Sequence, residues 1–303
     1  MIPEVTAIIP TFNRRDMVVE AIASVLAQRD VQFELIVVDD GSTDGTDDAI
    51  EQIVDSTEAP VRVIQTENRG AAAARNIGVE AAQAPLIAFL DSDDLWHPEK
   101  LSHQLWYLRD HPEFEIAQCN ELWIRDGRRV NPAMRHLKRE GDIFIDSLRT
   151  CLISPSAVII KTKLFNDMGG FDEEMVAAED YDLWLRILID RKTGLLDENL
   201  VTRRSGHADQ LSSQTPAIDR YRILALTKLL TSANLVDEKR AATADVLAEK
   251  CGIYARGLRR RGRDAGPIEE IAERAVRDWI HAPDKALVEM IPKLRTLVAS
   301  RNP

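Results

Sequence analysis

Between residues 5 and 91 the chain switches regularly between two hydrophobic rhythms. Four short apolar runs, Val5–Thr11 (VTAIIPT), Phe33–Asp40 (FELIVVDD), Val61–Thr66 (VRVIQT) and Leu86–Asp91 (LIAFLD), have the β-branched content of buried strands. Between them the spacing becomes helical. Met17, Val18, Ile22, Val25 and Leu26 share one helical face, and Ala49, Ile50, Ile53 and Val54 share another. The alanine-rich stretch from Gly70 to Gln83 reads as a third helix. Asn13 is expected to cap the first helix, with Asp16 three residues later in a capping-box position, and the polar turn GSTDGT leads into the second. Continuous apolar strands separated by amphipathic helices predict an α/β fold, with a parallel sheet covered by helices on both faces.

This topology gathers polar segments. Right-handed crossovers place the C-terminal ends of parallel strands on one edge of the sheet. Pro10–Arg14, Asp39–Ser42, Thr66–Gly70 and Asp91–Asp94 should therefore meet there, at the edge where open α/β sheets bind ligands.

Beyond residue 101 the rhythm changes. Leu101–Arg109 continues a helix, and Phe114–Ile124, Ser156–Thr162 and Leu195–Arg203 read as further strands, with a charged loop at Arg125–Asp142. Glu179–Arg191 (EDYDLWLRILIDR) is a strongly amphipathic helix, with Leu183, Trp184, Ile187 and Leu188 on its apolar side. From about Thr215 the pattern is helical to the end, and Arg256–Arg263 (RGLRRRGR) forms a basic knot.

Composition narrows the class. The 303 residues carry a formal net charge of −11, which disfavours bulk nucleic-acid binding. Three cysteines, Cys119, Cys151 and Cys251, lie far apart with no CxxC pair, as suits a reducing cytoplasm rather than a disulfide framework or zinc site. The start, MIPEVTAIIPTF, has no basic n-region, and no apolar span of membrane-crossing length is expected.

The sharpest chemical signal is LIAFLDSDDLWHPEKL, where a buried run ends on Asp91, Asp93 and Asp94. Two like charges about 4 Å apart repel by about 4 kcal/mol at an effective dielectric near 20. Pro98 suits a helix start, and acids suit a helix N-terminus, but Asp91 and Asp93 lie too far upstream to serve as caps. The alternative is a divalent cation, because hard ions such as Mg²⁺ and Mn²⁺ take carboxylate and phosphate oxygens. Asp39 and Asp40 end the second strand either as an Asx turn or as hydrogen-bond acceptors for a base or ribose. Arg75 is either a solvated surface arginine or a phosphate or nucleotide contact. Glu179 and Asp180 either complement a helix dipole or hold a general base on a rigid helix end. His207 is a loop histidine, solvated or ligating. The first loop has neither a GxGxxG nor a P-loop pattern.

Taken in order, IIPTFNR, VVDDGSTDGT, ENRGAAAARNIG, AFLDSDDLWHPEKL and GGFDEEMVAAEDYDLWLR resemble a family 2 glycosyltransferase of the GT-A fold, over residues 3–215. The resemblance implies a Rossmann-like nucleotide-diphospho-sugar transferase domain at 1–215, with a nucleotide-binding half at 1–101 and an acceptor and catalytic half at 102–215. The helical region 216–303 follows as an appendage. It implies that Asp91 and Asp93 form a DxD motif that holds Mn²⁺ or Mg²⁺ and the ribose, with Ser92 between them. By the same resemblance Asp40 bonds the base, Pro10, Thr11, Asn13 and Arg14 line the same pocket, and Arg75 contacts the nucleotide. Asp180 resembles the base of inverting members, with Glu179 beside it, and His207 a histidine near the metal. Asp94, Trp96 and Trp184 are candidates for the donor or acceptor site. The implied activity is transfer from a nucleotide-diphosphate sugar, UDP-sugars favoured, to a carbohydrate or glycoconjugate hydroxyl in cell-surface polysaccharide synthesis. The alternatives are another metal-dependent phosphate enzyme, such as a nucleotidyltransferase, or a silent nucleotide-sugar binding module. The expected location is cytoplasmic. The basic knot permits peripheral membrane association, and the C-terminal helices permit a homodimer.

Overall fold

A computed structural model describes residues 2–206, 217–232, 235–278 and 285–299. The chain forms two compact units. The first takes in the chain up to Gly141, then Leu152–Glu173 and the stretch from Arg191. The second takes in Asp142–Cys151, Glu174–Asp190 and the C-terminal helices.

The first unit is built on a nine-stranded sheet. Its first four strands are β1 (Val5–Thr11), β2 (Phe33–Asp39), β3 (Val61–Gln65) and β4 (Leu86–Phe89). The two-residue β5 (Leu95–Trp96) is followed by β6 (Ile116–Arg125), β7 (Arg128–Val130), β8 (Val158–Lys161) and β9 (Gly194–Ser205). The spatial order is β3-β2-β1-β4-β8-β6-β9-β5, with β7 hairpinned onto β6. β1 pairs in parallel with β2 and β4, and β2 with β3, as the apolar runs predict. The second half of the sheet is mixed. β8 runs antiparallel to β4 and to β6, which turns β6 back parallel to β4. β9 then adds parallel to β6, and β5 antiparallel to β9.

Helices cover both faces. On one, Val18, Ala21, Ile22 and Val25 of α1 (Arg15–Leu26) pack with Val5, Ala7, Ile9, Leu35 and Val37. The alternate residues Ile36 and Val38 point the other way, toward Ala74 of α3 (Ala71–Ala81). A Cβ at Gly78 would overlap the Ile8 side chain, so this glycine lets α3 lie directly on β1. Between these, α2 (Thr46–Ser56) follows β2, and α4 (Lys100–Asp110) follows β5.

Two helix starts differ from expectation. Arg14, not Asn13, is the N-cap of α1, and no side chain caps it. Asn13 is instead drawn into a left-handed conformation, with φ 50°, by bonds to the loop after β2. α4 begins at Lys100, so Pro98 lies before the Glu99 N-cap.

The second unit contains the short α5 (Phe144–Ser147), while α6 (Thr162–Asp167) belongs to the first. It continues with α7 (Glu179–Leu188), α8 (Asp219–Leu230), α9 (Asp237–Arg260), α10 (Gly266–Asp278) and α11 (Lys285–Ala299). Tyr181, Leu183, Trp184, Ile187 and Leu188 form the buried face of α7. The buried Arg240 donates to the carbonyls of Leu230 (2.6 Å), Ser232 (2.7 Å) and Leu235 (3.1 Å), satisfying acceptors that the end of α8 leaves unpaired. Among the described residues no helix is long and apolar enough to cross a membrane.

Candidate active site

The C-terminal edge of the parallel strands carries the four polar segments, and side chains stitch them together. After β1, the Asn13 backbone N–H donates to Ser42 Oγ (2.8 Å), and Asn13 Oδ1 accepts from the Thr43 N–H (2.8 Å). Asp39 accepts from the Ser42 N–H at 3.1 Å and from its hydroxyl at 2.5 Å, which is the Asx-turn role. Asp40 reaches across instead. Its Oδ1 accepts from the Arg69 N–H (2.9 Å) and its Oδ2 from the Gly70 N–H (2.7 Å), anchoring the loop that leads into α3. Burial raises the Asp40 pKa above the usual carboxylate value, and those two N–H donors oppose the rise. Pro10 and Thr11 close β1 opposite Val38 and Asp39. The buried Thr11 Oγ1 makes no hydrogen bond among the described residues.

β4 ends at Phe89, and its loop turns so that one oxygen from each of Asp91, Asp93 and Asp94 lies within 4.8 Å of the others. Two arginines from different elements oppose this charge. Arg75 of α3, buried and packed over the Phe171 ring at 5.4 Å, donates to Asp91 Oδ1 at 2.7 Å. Arg14 pairs with Asp93 Oδ2 at 3.1 Å and approaches Ser92 Oγ at 3.5 Å. The third carboxylate has a different job. Asp94 is 3% exposed, accepts from Ser156 Oγ (2.6 Å) and takes the Arg204 backbone N–H (2.9 Å). Burial, then the charges of Asp93 and Asp91, push its pKa well above the usual range, with Ser156 and Arg203 opposing. Asp94 thus fastens the loop to β9. Ser156 completes the fastening by accepting from the Asp91 N–H at 3.1 Å.

Two aromatic candidates are corrected. Trp96 is 4% exposed, its indole N–H donates to the Ser156 carbonyl at 2.8 Å, and the Lys100 ammonium lies 3.8 Å from its ring centre. It supports the acidic loop from within the core and is closed to substrate. Trp184 is 1% exposed in the interior of the second unit and is equally closed. Sequence reasoning missed Ser156 and Arg204, because neither carries a local signal; each is placed by strand pairing distant in sequence.

In the second unit, α7 begins after Ala178, a non-glycine residue at φ 59°. Such a conformation costs about 1–3 kcal/mol and concentrates where a side chain must be aimed. Glu179 is buried and Asp180 half-buried. Asp180 Oδ1 accepts from the Tyr181 N–H (2.7 Å), and Oδ2 accepts from the Cys151 thiol (3.6 Å). His207 lies outside the described residues.

The parallel strands β1, β2 and β4 end together on an acidic loop and polar turns, at the edge where open α/β sheets bind ligands. The sequence model of Glycosyl transferase family 2 matches residues 6–168, and the chain belongs to that family. It is 32% identical over 197 residues to an uncharacterised glycosyltransferase of Rickettsia felis, covering 65% of this chain and 32% of that one. It is 33% identical over 200 residues to the Escherichia coli enzyme WfaP, covering 64% and 75% respectively. WfaP is a UDP-Glc:α-D-GlcNAc-diphosphoundecaprenol β-1,3-glucosyltransferase. The chain spans about a third of the length of the first of these relatives. In fold it resembles Staphylococcus aureus TarS 1–349 in complex with UDP-GlcNAc, with a TM-score of 0.70, 22% identity and coverage of 98% and 87%.

Proposed function

We propose that this protein is a metal-dependent inverting glycosyltransferase. It moves a sugar from a nucleotide-diphosphate donor, a UDP-sugar, to an acceptor hydroxyl in cell-surface polysaccharide or glycoconjugate synthesis. The observation that carries this is the convergence of Asp91 and Asp93 at the sheet edge, beside Arg14 and Arg75.

The donor set suits a hard cation. The ligand atoms that the cluster offers are carboxylate oxygens, which favour Mn²⁺ or Mg²⁺ over softer metals. Both oxygens of Asp94 are engaged by Ser156 and Arg204, so Asp91 and Asp93 are the pair that would hold the ion. A bound cation supplies positive charge to the diphosphate leaving group. The remaining work falls to the chain. The Thr11 hydroxyl and the loop shaped by Asn13 and Asp40 form the wall for base and ribose, with Pro10 and Ser92 at its rim. Arg14 and Arg75, preset against the acidic pair, offer charge-assisted hydrogen bonds to phosphate oxygens. Asp180, fixed at a helix start, takes the acceptor proton, and Glu179 backs it. Attack opposite the leaving group inverts the anomeric centre. The relative WfaP, which builds a β-linkage on a lipid-linked sugar, supports both inversion and a membrane-borne acceptor. The exposed arginines 256, 259, 260, 261 and 263 around the end of α9 would suit the anionic surface bearing such an acceptor.

Incubation with UDP-glucose and Mn²⁺, followed by proton NMR of the sugar released to water or acceptor, tests the reading. The β-anomer should appear first, and Asp93→Asn should abolish it. First appearance of the α-anomer would refute inversion; turnover unchanged by EDTA would refute metal dependence.

A further inference from the structure

A second cluster of charge lies in the first unit, apart from the acidic loop. The hairpin of β6 and β7 and the segment after it enclose a cleft of about 210 Å³. Its walls include Glu121 and Trp123 of β6, Arg129 of β7, His136 and Lys138 of the following segment, and Asn199 of β9. Two charged side chains are built into the wall rather than spread on the surface. Glu121 is 3% and Lys138 6% exposed at the side chain, and they stand 3.6 Å apart. A solvated loop has no reason to bury such a pair, because desolvation costs several kcal/mol per ion.

Glu121 is held ionised. Burial would raise its pKa, yet Lys138, then Arg203, Ser154 and Trp123, bring it below the ordinary value. Its Oε2 accepts from the Trp123 indole N–H at 3.0 Å. Its Oε1 is fully buried and faces the Lys138 ammonium at 3.6 Å. The Trp123 ring lies under the Arg203 guanidinium (5.0 Å) and beside the His136 ring (5.5 Å, tilted 49°). An aromatic wall held by a buried ion pair, with polar side chains such as Asn199 beside it, matches the two faces of a sugar ring, apolar C–H on one side and hydroxyls at the edge.

The surroundings add a sign. Residues 125–139 hold five arginines and one lysine against one aspartate, in a chain whose net charge is −11. Arg125, Arg128, Arg129, Arg135 and Arg139 are exposed around the cleft. The cleft also sits on the reactive edge of the sheet. β6 runs parallel to β4, and Trp123 and Glu121 lie in its C-terminal half. Arg203 of β9 covers Trp123, while the next residue, Arg204, holds Asp94 through its backbone N–H.

We propose that this cleft seats the acceptor, and that the acceptor is an anionic saccharide, bearing a carboxylate or phosphate close to the sugar ring that stacks on Trp123. The inference rests on the transferase reading for the word acceptor; binding of the saccharide does not. Trp123 meets the ring, the Glu121–Lys138 pair holds the wall behind it, and Arg129 and its neighbours meet the anion.

Titration of the full chain, followed by calorimetry and tryptophan fluorescence, tests it with four probes: trigalacturonate, maltotriose carrying one 6-phosphate, neutral maltotriose and a short oligothymidylate. One or both anionic saccharides should bind at least about tenfold more tightly than maltotriose, and the tighter of the two identifies carboxylate or phosphate as the anion. Arg129→Ala, a surface change that leaves folding intact, should weaken that binding about tenfold. Trp123→Phe should remove the fluorescence change, and neither variant should alter stabilisation by UDP with Mn²⁺. Equal affinity for neutral and anionic saccharides, no effect of Arg129→Ala, no saccharide binding, or oligothymidylate binding as tightly as the saccharides would each overturn the proposal. Should saccharides bind while UDP with Mn²⁺ fails to stabilise, the donor reading falls and the cleft stands. The reverse result removes the cleft alone.

Discussion

Two groups of acids stand at element ends, and they are compensated in different ways. At the start of α7, Asp182 is 1% exposed at the side chain and sits between two cations, Arg186 at 2.9 Å and Lys228 at 2.7 Å. After β4, three carboxylates crowd within 4.8 Å, and two arginines reach two of them. Two like unit charges about 4 Å apart cost about 4 kcal/mol at an effective dielectric near 20, and the raised Asp94 pKa is the response of that member to its burial and to the crowding. The acid at Asp182 is closed by its partners and holds helices together. The acids after β4 are gathered at the mouth of a sheet and half-exposed at Asp91 and Asp93, an arrangement that stability alone would not favour. Density of charge marks both places; incomplete compensation marks the second.

The comparison breaks most sharply at Asp180, two residues from Asp182. Asp180→Asn should lower turnover about 10²–10⁴-fold with the melting temperature nearly unchanged. Asp93→Asn should lower turnover about 10²–10³-fold and leave stability equal or higher, because a like-charge contact is removed. Asp182→Asn should do the reverse. It should cost about 3 kcal/mol of stability in chemical denaturation, since it removes the buried charge that two half-buried cations share. Activity per folded molecule should survive. If Asp182→Asn were neutral in stability and Asp93→Asn destabilising, the distinction between the two groups would be wrong.

Lys100 sharpens the contrast on the stability side. Burial drops its ammonium pKa to about 7. The unfolded chain takes up that proton below about 10.4, the folded chain only near 7. Over this window the unfolded state binds more protons, so stability falls as pH falls from about 10 to about 7, then levels off. Lys100→Met should flatten this slope and stabilise the protein by about 1–3 kcal/mol at pH 7. Denaturation midpoints across that range measure it.

The first half of the fold was legible because its signals are local. Apolar runs and helical spacing located β1 to β4 to within two residues at their ends, and parallel crossovers then brought four loops to one edge. The second half was less legible. β5 has two residues and exists only by pairing with β9, distant in sequence, while β7 has three and forms a short hairpin on β6. The candidate site shows the same limit. Asp91, Asp93, Arg14 and Arg75 could be named from pattern and do meet. Trp96 and Trp184 looked like substrate contacts because they flank acidic motifs, but tertiary packing buries both. Asn13 was lost as a helix cap because the loop after β2 offered its side chain a better partner. Glu121 and Lys138 carried no local sign of pairing, since a hairpin and a strand bulge bring them together.

The central claim is that Asp91 and Asp93 join a cation to a nucleotide diphosphate. It is tested most directly by melting the protein with UDP, GDP or dTDP, each with and without Mn²⁺. The account predicts a rise in melting temperature that requires UDP and Mn²⁺ together and disappears in Asp91→Asn and Asp93→Asn. A rise with nucleotide alone that persists in both variants would contradict it.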